Sequence, residues 1–174
     1  MATIAVLEAD CIPSGEPKRG KLNPQGQDNN ELSSNLIFKD FIVSARFYNP
    51  VVRENNNWSH GFYFRNDLGE NGLLVDVRSD GMYFFRIYPF NPSNIFTKGE
   101  LPTHLNLLND QYNDLKLVVQ AQRAYLLVNE SLITTVDLPE GIDSGRISIG
   151  TAFWSEDKVN GSVDYENLSI CALD

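Results

Sequence analysis

The sequence predicts an all-β protein, a two-layer sandwich or a barrel, and three observations carry that prediction. Apolar residues recur at every second position in one short segment after another. Turn-forming residues separate those segments at short intervals. No segment longer than ten residues shows the apolar period of an amphipathic helix. About a dozen short strands separated by turns result, and such a set builds a sandwich or a barrel.

The elements follow in order. Residues 3–9 read as a short strand. Residues 11–34 are rich in Pro, Gly, Asn and charge, and are expected to form a long polar surface loop. From Phe41 to Tyr48 the pattern alternates, with Phe41, Val43, Ala45 and Phe47 on one face. Trp58, His60, Phe62 and Phe64 form the apolar set of the next strand, and Leu73, Val75 and Val77 that of the one after. Ser79-Asp80-Gly81 is a hairpin signal, because Asp-Gly tolerates the positive φ that tight turns need. Tyr83, Phe85 and Ile87 follow. Leu115–Gln120 and Ala124–Val128 form a hairpin expected to turn at Gln122-Arg123. Asn129-Glu130 leads into 132–138, and strands over 145–151 and 163–171 complete the chain.

Composition narrows the function classes. The chain has 174 residues, enough for one domain of the larger sandwich size with an ample core. Residues that are 42% hydrophobic and 21% charged describe a globular chain, and an aromatic share of 11% favours strands. A net charge of −9 argues against nucleic acid or an anionic membrane as partner, since both require clustered Lys and Arg. No stretch approaches the roughly 20 apolar residues of a membrane span. The first residues lack a basic leader and a long apolar run, so no signal peptide is read; whether Met1 is a native start stays open. The two cysteines, Cys11 and Cys171, leave two readings, with a pair of free buried thiols favoured over an end-to-end disulfide.

The run Phe41–Tyr48, then Trp58 with Gly61-Phe62-Tyr63-Phe64-Arg65, then Asp114–Val119 and Ala124–Glu130, and finally Gly145–Gly150, resembles concanavalin A-like jelly-roll modules of the laminin G-like, pentraxin-like and glycoside-hydrolase-like kind. The likeness spans roughly residues 36–172. Two positions depart from it: Tyr112 stands where a Trp is frequent, and Asn129-Glu130 replaces an Asn-Gly turn. The resemblance implies two curved antiparallel sheets of six or seven strands each, with the first and last strands adjacent.

It does not bring a catalytic constellation with it. Glucanases of this fold carry Glu-x-Asp-x-Glu on one strand, so that alternation aims carboxylates into one groove, and retaining chemistry needs two of them about 5 Å apart. The nearest pattern here is Asp164-Tyr165-Glu166, read as a solvated strand face. With only His60 and His104, a multi-histidine zinc site is excluded. His60 is expected to be a packed histidine rather than a base. The chain is therefore read as a non-catalytic module, with a diverged glycoside hydrolase as a remote alternative.

If Phe62, Phe64, Leu73 and their partners face the core, the opposite face presents Tyr63, Arg65, Asp76, Arg78, Phe84, Arg86 and Tyr88. Aromatic rings with planar guanidiniums suit stacking on sugar rings, or a protein interface rich in Tyr and Arg. The same set would equally stabilise a plain sheet surface. Arg65 and Asp76 are the two positions to substitute first. A glycan or protein ligand follows, with assembly into an oligomer through sheet faces as the alternative. No cofactor is expected beyond a weak calcium signal, for which Asp67, Asp80 and Asp157 are the candidate ligands, with Glu70, Asp76 and Glu156 also near loops. An extracytoplasmic domain of a larger protein is the favoured setting. Four Asn-x-Ser tripeptides, beginning at Asn57, Asn129, Asn160 and Asn167, match glycosylation acceptors. They are read as chance matches in Asn-rich loops.

Overall fold

The computed structural model describes residues 10–12, 20–22, 36–50, 58–67, 71–88, 94–102, 106, 111–151 and 163–173. These form twelve strands: β1 (Asp10–Ile12), β2 (Gly20–Leu22), β3 (Phe41–Tyr48), β4 (Ser59–Asp67), β5 (Asn71–Arg78), β6 (Met82–Tyr88), β7 (Ile95–Glu100), β8 (Tyr112–Gln120), β9 (Arg123–Val128), β10 (Ser131–Asp137), β11 (Arg146–Thr151) and β12 (Val163–Ala172). No helix among the described residues is long and apolar enough to cross a membrane.

Two antiparallel sheets stack face to face. The larger has seven strands in the order β1-β12-β3-β8-β9-β10, with β2 also paired to β12, and the smaller has five in the order β11-β4-β5-β6-β7. Seven and five replace the expected six or seven each. Consecutive hairpins build each sheet: β4 to β7 run through the five-stranded one, β8 to β10 through the larger. The early and late strands β1 and β12 are neighbours, as expected from the resemblance.

Alternation explains the core. The inner faces contribute Phe41, Val43 and Phe47 from β3, Leu115, Leu117 and Val119 from β8, Phe62 and Phe64 from β4, and Leu73, Val75 and Val77 from β5, all buried in one cluster. Burying each such side chain contributes roughly 1.5–3 kcal/mol of transfer free energy. Edge-to-face ring pairs, Phe41 with Phe64 and Phe47 with Phe62, then lock the two sheets in register.

The 3–9 strand lies outside the described residues. Three local readings change. The 11–34 segment is not loop throughout: Gly20–Leu22 pairs with Val163–Tyr165, and Leu22 enters the core. The β8–β9 hairpin turns at Ala121-Gln122, since Gln120 faces Arg123, and Ala121 takes the positive φ of 51°. Finally, Cys171 is disulfide-bonded, and Cys11, the only other cysteine, lies directly opposite it in the β1–β12 register. That replaces the reading of two free thiols: strand adjacency, which neither cysteine's local sequence reveals, brings them together.

The turns that matched did so for the expected reason. Gly81 at φ 82° closes the β5–β6 hairpin, with its N–H donating to Arg78 O at 3.0 Å. Asn129 and Glu130, at φ 48° and 65°, form a two-residue β9–β10 turn in which both residues are left-handed.

Candidate binding face

The five-stranded sheet turns one face to the core and the other away from it. Register gives the rows on the outer face. Gly150 of β11, Gly61 of β4, Asp76 of β5, Phe84 of β6 and Lys98 of β7 lie across one row. Ser148, Tyr63, Leu74 and Arg86 lie across the next. Gly61 admits no side chain, because a Cβ there would collide with the backbone carbonyl of Val75. The centre of this face is therefore floored by backbone beside Asp76.

The face is withdrawn from water. Asp76 is 0% and Arg86 3% exposed, and they are joined by a short charge-assisted hydrogen bond from Arg86 Nη2 to Asp76 Oδ1. Tyr63, Leu74, Arg78, Phe84 and Ser148 are also buried, while Tyr88 is half-buried. The Phe84 ring lies between two guanidiniums, with Arg78 Cζ 5.5 Å and Arg86 Cζ 5.7 Å from its centroid. Both distances fall within cation–π range. Arg78 also pairs with Asp80 at 3.3 Å. Asp76, Arg78, Phe84 and Arg86 thus form one cluster, with Tyr63 in the adjoining row.

Arg65 does not belong to it and is not paired with Asp76. A bulge between Phe64 and Asp67 gives Arg65 a left-handed φ of 48° and removes it from the outer row. Its guanidinium, 1% exposed, ties the two sheets together at one end of the sandwich. It donates to Lys39 O at 3.1 Å, Ala121 O at 2.5 Å, Ile142 O at 3.0 Å and Gln122 Oε1 at 3.2 Å. Burial lowers its basicity, and Asp40 and Asp143 oppose that shift. Asp76 pairs with Arg86 instead, diagonally across β5 and β6. Only the cross-strand register reveals that pairing.

The remaining candidates separate. His60 is wholly buried in a ring stack, 4.5 Å from Trp58 and 5.3 Å from Phe47 between centroids. Desolvation pushes its pKa down to about 3, so the imidazole stays neutral and packs as a core ring. Glu166 accepts from Arg46 Nη1 at 3.3 Å on the outer face of the seven-stranded sheet. Asp80 is engaged by Arg78 and by the Met82 N–H. The side chain of Asp67, and Asp157 altogether, lie outside the described residues. Among the described residues no three His, Cys, Asp or Glu side chains gather as a metal site would require.

Sequence reading missed a second polar centre. Asn113, fully buried at one end of β8, donates to Asn106 O at 2.8 Å, while its Oδ1 accepts from Asn129 Nδ2 at 3.0 Å and from the Asn106 N–H at 3.1 Å. Asn49 Nδ2 donates to the same Asn106 carbonyl at 2.6 Å. Asn49 and Asn129 are distant from Asn113 in sequence and reach it through the pairing of β3 and β9 with β8, while Asn106, seven residues before Asn113, comes from outside the strands.

No family model matches the chain, and no curated protein matches it. Solved structures do. The chain is similar to the carbohydrate binding module CBM66 from Bacillus subtilis, at 13% identity over 79% of this chain and 78% of that one, with a TM-score of 0.59. It is similar to the Bacillus licheniformis β-glucanase at 12% identity over 82% and 70%, with a TM-score of 0.57. It is also similar to an Aspergillus kawachii β-fructofuranosidase at 17% identity and a TM-score of 0.63, covering 94% of this chain but only 27% of that enzyme. Identities this low carry the architecture alone, and with the sheet order described above they show that the chain is a concanavalin A-like jelly-roll β-sandwich.

Proposed function

We propose that the chain is a single-domain, non-catalytic glycan-binding module that takes its ligand on the outer face of the five-stranded sheet. One observation carries this reading: a buried ion pair, Asp76–Arg86, holds an aromatic ring and a second arginine on the face turned away from the core. Burying two charges costs several kcal/mol each before they are paired, so a face that only had to close the sandwich would be built more cheaply from apolar residues. A fixed guanidinium beside a fixed ring is what vicinal sugar hydroxyls and a pyranose face require. In this reading the half-buried Tyr88 and the small exposed edges of Tyr63, Arg78 and Phe84, each less than a tenth exposed, meet the ligand, while Asp76 orients Arg86 from beneath.

The likeness to a carbohydrate binding module supports the glycan class. A non-catalytic role is supported by His60, held neutral in the core, and by Glu166, committed to Arg46. The disulfide at Cys171 supports an oxidising compartment. A glycan-array screen of the full chain, with calcium and again with a chelator, tests the reading. Saturable binding to a defined sugar is expected, weakened about tenfold or more by Arg78→Ala or Tyr88→Ala. A blank array would move the weight to assembly. That second reading is favoured by Leu132, which is exposed on β10, the end strand of the larger sheet.

A further inference from the structure

The seven-stranded sheet carries a groove on its own outer face, on the opposite side of the molecule from the Phe84 cluster. Its volume is about 380 Å³, within the range of small-molecule sites. Ser44 of β3 lies at its floor, opposite Lys116 of β8, which is in turn opposite Leu127 of β9. Asp114, Glu130 and Asn167 complete its walls. Glu130 stands in the β9–β10 turn. Asn167, at φ 56°, stands in the bulge that interrupts β12 between Glu166 and Ser169. A hairpin turn and a bulge thus place polar side chains at the edges of the groove. Bulges commonly re-aim side chains in this way beside sites.

The charges of the lining select the ligand class. Arg46 and Lys116 are cationic, Asp114 and Glu130 anionic, so the groove is formally neutral. Arg46 is already satisfied: its Nε and Nη2 grip both oxygens of Asp114, at 2.7 and 2.9 Å, and Tyr112 lies 4.0 Å beneath it. An anionic ligand would meet Glu130 and Asp114, and a cationic one would meet Lys116. Hydroxyl groups, which both donate and accept, match ammonium, carboxylate, amide and serine hydroxyl together. Leu127 supplies an apolar wall for the C–H face of a ring. We propose that this groove is a second binding site, for a neutral polyhydroxylated ligand such as one or two sugar units. The module would then engage saccharide on both sheets, and a polymer or a crowded surface could be held at two points with a gain in avidity.

The site stands on its own lining and does not depend on the Phe84 face. An NMR titration of the full chain with glucose, fructose and sucrose, against sodium phosphate and ammonium acetate, tests it. The amides of Ser44, Lys116 and Asn167 should shift saturably with a neutral sugar, on the order of millimolar, and the midpoint should move less than about twofold as salt is raised. Lys116→Ala, at an exposed position, and Ser44→Leu, which fills the floor, should each weaken that binding about tenfold or more. Sugar-induced shifts at the groove but not around Phe84 would support this site and remove the other. Shifts confined to Tyr63, Phe84 and Arg86 would overturn this site and leave the other standing. Groove shifts produced by phosphate or ammonium alone, or by no probe at all, would overturn it as well.

Discussion

The outer faces of the two sheets solve the same problem in opposite ways. Along β3 in the larger sheet, burial alternates strictly between buried and half-buried, as expected of a strand with one wet side. Along β5 in the smaller sheet every residue after Asn71 is buried, on both faces. Each outer face carries an Arg–Asp pair, yet Arg46 and Asp114 keep 27% and 44% of their side-chain surface, whereas Arg86 and Asp76 keep 3% and 0%. The first pair decorates a solvated sheet. The second is an internal structure, and its cost is a reason to look for a function there.

Breaking the buried pair gives the largest expected effect. Asp76→Ala strands a buried guanidinium and should cost about 3–5 kcal/mol in unfolding free energy. Replacing both partners with apolar residues of similar volume, Asp76→Leu with Arg86→Met, should restore much of that loss while abolishing the ligand binding proposed for this face. Urea denaturation of the single and double variants measures it. A single variant within about 1 kcal/mol of the parent would show that water reaches the pair, and the contrast between the faces would collapse.

How much of this could be read from the sequence depended on whether the signal was local. The core sets of β3 to β6 were legible because period-2 alternation needs no partner, and Asp80-Gly81 because its turn chemistry is complete within three residues. The Ala121-Gln122 turn was not legible: the positive φ fell on an alanine, whose backbone is held by Asp40 accepting from its N–H at 2.8 Å and by Arg65 donating to its carbonyl. Arg65 itself was misplaced because one bulge changes which face a residue meets, and nothing in Phe64-Arg65-Asn66 announces a bulge. The Asp76–Arg86 pair, the asparagine cluster around Asn113 and the groove at Ser44 all depend on register between strands. A single sequence does not encode that register in any local pattern.

His60 extends the comparison to the layer between the faces. Its folded-state pKa of about 3 lies below the ordinary 6.5, so between those values the unfolded chain binds a proton that the folded chain refuses. This group's contribution is fully present above pH 6.5 and is lost as pH falls towards 3, at about 1.4 kcal/mol per pH unit. His60→Phe keeps a ring between Trp58 and Phe47 and should flatten the stability curve by one proton over that window. Urea midpoints measured from pH 7 down to about pH 4 check it, because carboxylate titration is common to both proteins and cancels in the difference. Parallel curves would show that the imidazole is not sealed in the core.

The smallest expected effect belongs to the exposed pair, and it sharpens the contrast from the other side. Arg46 is held strongly in its charged form, chiefly by the hydrogen bonds to Asp114. The pair's exposure nevertheless lets water and salt screen most of that attraction. A double-mutant cycle with Arg46→Ala and Asp114→Ala should therefore give a coupling of only about 0.2–1 kcal/mol, shrinking further in high salt. Arg46→Ala alone should cost somewhat more than that coupling, because it also removes the stack on Tyr112 and the bond to Glu166. A salt-insensitive coupling of about 3 kcal/mol would mean that this face too is closed to water. The groove beside Ser44 would then have to be redrawn as part of a packed surface rather than a site that a soluble sugar can enter.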